Sequence, residues 1–290
     1  MIKSKLLLTY IILIFSDKTM FGQKKDDFQD WNRAFVQMIM SKGFMTGQDV
    51  FRGVKEICNA YQPHKSFPKI DTNSSGDIAE MIDIFMEKAN LALEPLQFQI
   101  CKTQEEMKTV NDNPTYTQYY VMAPTYENET IAKLQRNYGE PELEWLKLVA
   151  SHLVDSEDRL ANQNELINLC MDGGNNTQKK KLNVTEADKA LNMFVEDGYL
   201  MKIRGSRKGF KIAIGPRFLV EMEGWLKETF GDDIWQCGFC EKVGMVGTQC
   251  TKRGCETRFH LYCVDRGNKD PKCPRCKTAL KIEGVASKRQ

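Results

Sequence analysis

Apolar positions recur at helical spacing from Asp30 onward. In "WNRAFVQMIM" Trp31, Phe35, Met38 and Ile39 fall on one stripe, and Gly43 stops it. "DVFRGVKEICNAY" repeats the period with Val50, Val54, Ile57 and Tyr61, and Pro63 follows. "DTNSSG" (71–76) reads as a turn, and "DIAEMIDIFMEKANLAL" (77–93) as a third helix with Asp77 as candidate N-cap. "LQFQICK" (96–102) and "TQYYVMA" (117–123) read as strands on either side of "NDNP" (111–114). Three helices followed by a two-stranded hairpin outline a winged-helix domain.

The outline then recurs without internal identity. "PELEWLKLVASHLVDS" (141–156) is a helix with Leu143, Leu146 and Val149 facing inward and Pro141 in its first turn. "NELINLC" (164–170) is a short helix. "TEADKALNMFVEDGYL" (185–200) carries Ala187, Ala190, Leu191 and Phe194 as its stripe, with Thr185 and Glu186 in the N-cap region. "YLMKIRGSRKGFKIAI" (199–214) is a hairpin around Gly205–Gly209, and "FLVEMEGWLKETF" (218–230) closes as one helix. The expected fold class is mainly α with small β wings: two tandem winged-helix domains followed by a compact metal module.

That module is the run 237–276, which holds seven of the ten cysteines and one of the three histidines of this 290-residue chain. The ligand candidates fall in pairs: Cys237-x2-Cys240, Cys250-x4-Cys255, His260-x2-Cys263 and Cys273-x2-Cys276. An x2 spacing lets two side chains converge on one ion across a tight turn, and zinc takes four such ligands in a tetrahedron. Eight ligands make two closed, structural zinc sites. In a cross-brace, Cys237, Cys240, His260 and Cys263 share one zinc, and Cys250, Cys255, Cys273 and Cys276 the other. No coordination position is left for a reacting water, so neither zinc is catalytic. Cys58, Cys101 and Cys170 lie on apolar faces and read as core.

The ligand order is shared by PHD fingers and RING variants. Only nine residues separate Cys263 from Cys273, Pro271 holds the place of the usual PHD aromatic, and "CPRC" with Pro274 is RING-like. The RING variant is the preferred reading, and a PHD-like histone reader the alternative.

Composition adds bounds. Hydrophobic residues at 41%, charged residues at 28% and a net charge of +2 are ordinary for a globular chain, so any nucleic-acid surface is local. Leu6 to Phe15 behind Lys3 and Lys5 resembles a secretory leader but is short of the ~20 residues that span a bilayer. Sequons begin at Asn73, Asn128, Asn175 and Asn183. Against secretion, the thiols are spaced as metal ligands rather than as a disulfide framework, and Met20 offers a second start. The organisation expected is an N-terminal signal-like or mis-called extension (1–25), winged-helix domain A (26–136), winged-helix domain B (137–232), the variant RING (233–280) and a tail (281–290).

Paired winged helices ahead of these zinc pairs resemble one family, the first non-SMC element subunits of the structural-maintenance-of-chromosomes five–six complex. The resemblance runs from about Phe28 to Cys276, carried by "FVQMIMSKGFMTGQDV", "LVDSEDRLANQNELINLC", "EADKALNMFVEDGYL", "FLVEMEGWLKETF" and the zinc pairs. It implies a nuclear, chromosome-associated role in DNA repair and recombination. It also implies binding to a MAGE-type subunit and a kleisin subunit, and RING-type ubiquitin ligase activity. A RING supplies no nucleophile; it positions a ubiquitin-charged conjugating enzyme. By analogy Phe239 and Pro274 touch that enzyme, and Lys277 stands where RING ligases often place a ubiquitin-clamping arginine. The alternative is a non-catalytic scaffold that associates with DNA.

Lys202, Arg204, Arg207, Lys208 and Lys211 on the second wing, with Lys179, Lys180 and Lys181, are candidate DNA contacts, weighed against a solvated hairpin. Trp31, Phe35 and the "MIM" run (38–40) suit a partner groove or, more simply, a core stripe. His152, beside Ser151 and Asp155, reads as structural, and His64 lies in a polar loop without further signal. No membrane partner is expected.

Overall fold

The computed structural model describes residues 28–106, 116–125, 138–172, 181–204, 209–265 and 271–280. They fall into two compact units. One takes residues up to Thr103 and Thr117–Glu144; the other takes Gln104–Tyr116 and the chain from Trp145 on. The leader-like segment lies outside the described residues.

The first unit runs α1 (Asp30–Lys42), β1 (Phe44–Thr46), α2 (Gly47–Tyr61), α3 (Ser75–Leu93), β2 (Phe98–Gln104) and β3 (Gln118–Pro124). Its sheet has the order β1-β3-β2, with Phe44 opposite Val121 and Thr46 opposite Tyr119. That is winged-helix topology, with the strand between the first two helices pairing to the last. Gly43 ends α1 at φ 69°, a left-handed conformation that glycine adopts without Cβ strain, and its N–H reaches Ile39 O at 2.7 Å. Thr46 then caps α2, accepting from Asp49 N–H at 3.1 Å. β1 is therefore three residues squeezed between a helix stop and a helix start.

Trp31, Phe35, Ile39, Val50, Val54, Ile78 and Phe85 are buried together. The core reading of the first stripe holds for Trp31 and Phe35, which leaves neither for a partner groove; Met38 and Met40 are half-buried against the same core. Cys58 is sealed in this core, and burial pushes its thiol up to about 11, as suits an inert core residue. Asp77 is not the N-cap of α3. Ser74 is: its hydroxyl accepts from Asp77 N–H at 3.2 Å and donates to Asp77 Oδ1 at 2.7 Å. That hydrogen bond, with one from Asp71 N–H, holds the Asp77 carboxyl below the usual range.

The second unit repeats the plan with α4 (Glu140–Asp155), β4 (Ala161–Asn162), α5 (Gln163–Asp172), α6 (Val184–Glu196), β5 (Leu200–Arg204) and β6 (Phe210–Ile214), in sheet order β4-β6-β5. Leu146 and Val149 face inward as expected; Leu143 is only half-buried, and Trp145 takes a core place instead. The cap of α6 is Asn183, not Thr185. Its side chain accepts from Glu186 N–H while the Glu186 carboxylate accepts from Asn183 N–H, a reciprocal capping box. The terminal helix expected over 218–230 is two helices, α7 (Pro216–Glu221) and α8 (Glu223–Phe230), parted at Met222, whose φ of −113° leaves the helical well. Phe218, Leu219 and Leu226 are buried on both sides of the break, so the apolar period gives no sign of it. Arg217 is buried under the Tyr199 ring, bonded to Glu221 Oε1 at 2.6 Å and Asp197 O at 3.2 Å, while Tyr199 donates to Glu221 Oε2 at 2.8 Å. Among the described residues no helix is long and apolar enough to cross a membrane.

Candidate metal centre

Beyond α8 the chain makes two-residue strands: β7 (Trp235–Gln236), β8 (Val243–Gly244), β9 (Thr248–Gln249) and β10 (Arg258–Phe259), then a helical turn α9 (Leu261–Val264). Such short strands bury little. Among the described residues from Trp235 on, the buried apolar side chains that are not cysteine are Val243, Met245, Phe259, Tyr262, Val264 and Leu280. At about 1.5–3 kcal/mol each, they are too few to order a forty-residue segment.

The cysteines do the ordering. Cys237 and Cys240 occupy the turn between β7 and β8. Glu241 N–H bonds Cys237 O at 2.8 Å, Cys237 N–H bonds Lys242 O at 2.9 Å, and Glu241 sits at φ 59°. Cys273 and Cys276 repeat the turn: Lys277 N–H to Cys273 O at 2.8 Å, Cys273 N–H to Thr278 O at 2.9 Å, and Lys277 at φ 61°. These are two copies of one knuckle. Each aims two sulfurs to one side and places the residue after the second cysteine in the left-handed region.

The hairpin of β9 and β10 separates the two metal clusters. Gln249 pairs with Arg258 and Thr248 with Phe259, so Cys250 leaves one end of the hairpin and His260 the other. Cys237, Cys240, His260 and Cys263 converge, and so do Cys250, Cys255, Cys273 and Cys276; within each set the ligand atoms lie within 4.8 Å of one another. This is the interleaved pairing that the spacing predicted. All ten cysteines are free thiols, and the Cys250–Cys276 and Cys255–Cys273 sulfurs stand 3.5 Å and 3.8 Å apart, too far for disulfides. The residues fit two zinc ions. In the all-cysteine cluster the Thr278 hydroxyl and N–H pull the Cys276 thiol down to about 6 and Thr257 lowers that of Cys255, while burial and the neighbouring sulfurs push that of Cys250 up.

His260 is enclosed, at 1% exposure. Its Nδ1 faces Cys240 Sγ at 3.3 Å and Cys263 Sγ at 3.9 Å, so Nδ1 is the ligand atom. Nε2 points away, 3.0 Å from Val243 O and 3.4 Å from Glu106 Oε1. Tyr262 stacks on the ring at 4.6 Å and Trp235 tilts against it at 5.2 Å. Gly244 lies so close that a Cβ there would come within 2.6 Å of His260 Nε2. Glu106, Trp235 and Tyr262 were not found from sequence. Glu106 carries no ligand spacing, and only the folded chain brings it here.

The other predicted residues fall as follows. Phe239, on the first knuckle, is 38% exposed and tilts against Phe259 at 4.8 Å. Pro274 and Lys277, on the second knuckle, are exposed. On the second wing, Lys202 is exposed and bonds Asn192 Oδ1 at 3.3 Å, and Lys211 pairs with Asp158 at 2.6 Å, which holds that carboxyl below its usual range. Arg204 pairs through its backbone with Phe210; Arg207, Lys208, Lys179 and Lys180 lie outside the described residues. His152 pairs with Glu165 at 3.0 Å and His64 with Ser66 Oγ at 2.8 Å, both local structural contacts. Cys170 is buried; Cys101 is half-buried on β2.

Tandem winged helices ahead of a closed two-metal cross-brace define a class of winged-helix protein that ends in a RING-like module. Comparison with known proteins agrees. Residues 237–276 match the model of a RING-like domain. Residues 32–222, more than half of the 290, match that of the Nse1 non-SMC component of SMC5-6 complex. The chain belongs to this Nse1 family. It is 27% identical over 250 residues to a human non-structural maintenance of chromosomes element 1 homolog, covering 85% of this chain and 82% of that protein. The Xenopus laevis homolog is 26% identical over 254 residues, covering 87% and 83%. A solved chain titled "Nse1-Nse3-Nse4 complex" superposes with a TM-score of 0.62 at 25% identity, covering 89% of this chain and 99% of that one.

Proposed function

We propose that this chain is the RING-type ubiquitin ligase subunit of a nuclear, chromosome-associated SMC5-6 complex that acts in DNA repair and recombination. Its zincs, held by the eight residues above, are structural. They set the two knuckles, and the knuckles hold a ubiquitin-charged conjugating enzyme so that its thioester is biased toward attack. One observation carries this reading: Phe239, between the first two ligands, is a large aromatic left exposed at 38%, while the other large apolar side chains described in the module are buried or half-buried. Pro274 occupies the equivalent place in the second knuckle and is exposed. The related chain in an Nse1-Nse3-Nse4 complex, with the family resemblance, supports a MAGE-type and a kleisin partner for the winged helices. DNA is a further partner, with phosphate contacts from Lys202, Arg204, Arg207, Lys208 and Lys211.

A second reading is a non-catalytic scaffold. Lys277 favours it, because an ammonium lacks the planar five-donor fork of arginine. Discharge of ubiquitin from a charged conjugating enzyme, with and without the MAGE-type partner, decides between them. The ligase reading expects discharge to accelerate with the partner. It also expects Phe239→Ala and Pro274→Ala to abolish the acceleration with zinc content unchanged. No acceleration under either condition leaves the scaffold.

A further inference from the structure

Glu106 is a carboxylate buried in the second unit, its side chain 6% exposed. It lies 139 positions ahead of Met245, whose N–H donates to its Oε1 at 2.9 Å. The same oxygen stands 3.4 Å from His260 Nε2, on the edge of the imidazole away from the cluster. A buried carboxylate is costly unless it meets hydrogen-bond donors and positive charge. The donors described here are one backbone N–H and one imidazole, and a metal-bound imidazole is the positive group. Metal-ligating histidines commonly donate their second ring N–H to a carboxylate or carbonyl, which fixes the tautomer and strengthens the ligand. His260 has both kinds of acceptor, Val243 O at 3.0 Å and Glu106.

We propose that Glu106 is an outer-shell carboxylate of the three-cysteine, one-histidine cluster. It orients His260 with Nδ1 toward the ion and strengthens metal retention there, while the other cluster is untouched. Glu106 is a positioning residue, and it rests on the zinc reading above. The relation runs both ways. With His260 held by the ion, Glu106 keeps its partner, and Met245 N–H stays protected.

The experiment uses the full-length chain. A chromophoric chelator competes for zinc, and cobalt(II) substitution distinguishes a three-sulfur, one-nitrogen site from a four-sulfur site by absorption. Glu106→Gln keeps an acceptor for Met245 N–H without the charge; Glu106→Ala removes both; Glu256→Gln, an exposed acid in the same module, is the control. The expected result is one zinc held about 10- to 100-fold more weakly in Glu106→Ala and less so in Glu106→Gln. The loss falls on the nitrogen-containing site, and Met245 N–H exchanges faster in Glu106→Ala. The control and the four-sulfur site match wild type. Because the glutamine variant is isosteric, it answers the question even if the alanine variant folds poorly. Equal retention of both zincs by wild type and both variants overturns the outer-shell role alone. Fewer than two zincs in the wild type instead sinks the zinc reading.

Discussion

At the scale of single residues, Gly244 and Arg217 carry the sharpest consequences. A methyl group at Gly244 meets His260 Nε2 at 2.6 Å and the Trp235 ring at 2.7 Å, and the imidazole, wedged against Tyr262, has little room to yield. Gly244→Ala is expected to lower zinc content toward one per chain, read by metal analysis after gel filtration, while Gly254→Ala, with open space around it, does not through contact. Arg217 answers Glu221 in a buried pair at 9% and 2% side-chain exposure. Removing one partner strands the other charge, so Arg217→Ala should cost about 3–5 kcal/mol by denaturant unfolding. An apolar replacement of both, Arg217→Met with Glu221→Leu, should recover most of that. The metal ligands were legible in the sequence because knuckle spacing is a local property. Glu106 was not, because nothing in "TQEEMK" distinguishes an outer-shell carboxylate from a solvated one.

At the scale of elements, periodicity found every long helix among the described residues and the paired strands of both wings, and it failed where an element is short or a boundary depends on one side chain. β1 and β4 span three and two residues, too few for a pattern to register, yet each supplies the third strand of its sheet. Caps were misplaced for a related reason. Ser74 and Asn183 hold their helix starts through specific hydrogen bonds, and Asp77 and Thr185 have the same chemistry one turn too late or two residues too far in. Asn183→Ala removes half of the capping box and should destabilise the second unit by about 1 kcal/mol, seen as a lower urea midpoint at unchanged m-value. The break at Met222 left no trace in the apolar pattern because both halves bury the same face.

At the scale of the whole molecule, the winged-helix units have cores of their own, whereas the segment after Asp233 is organised around sulfur. Everything proposed for the module, from the exposed Phe239 to the outer-shell Glu106, presumes that two ions hold it. Native mass spectrometry of the full-length chain, purified without added metal and without chelator, tests this most directly. The account predicts two zincs per chain and ten unmodified thiols after acid release. Fewer than two zincs, or any of the seven ligand cysteines joined to another in a disulfide, contradicts it.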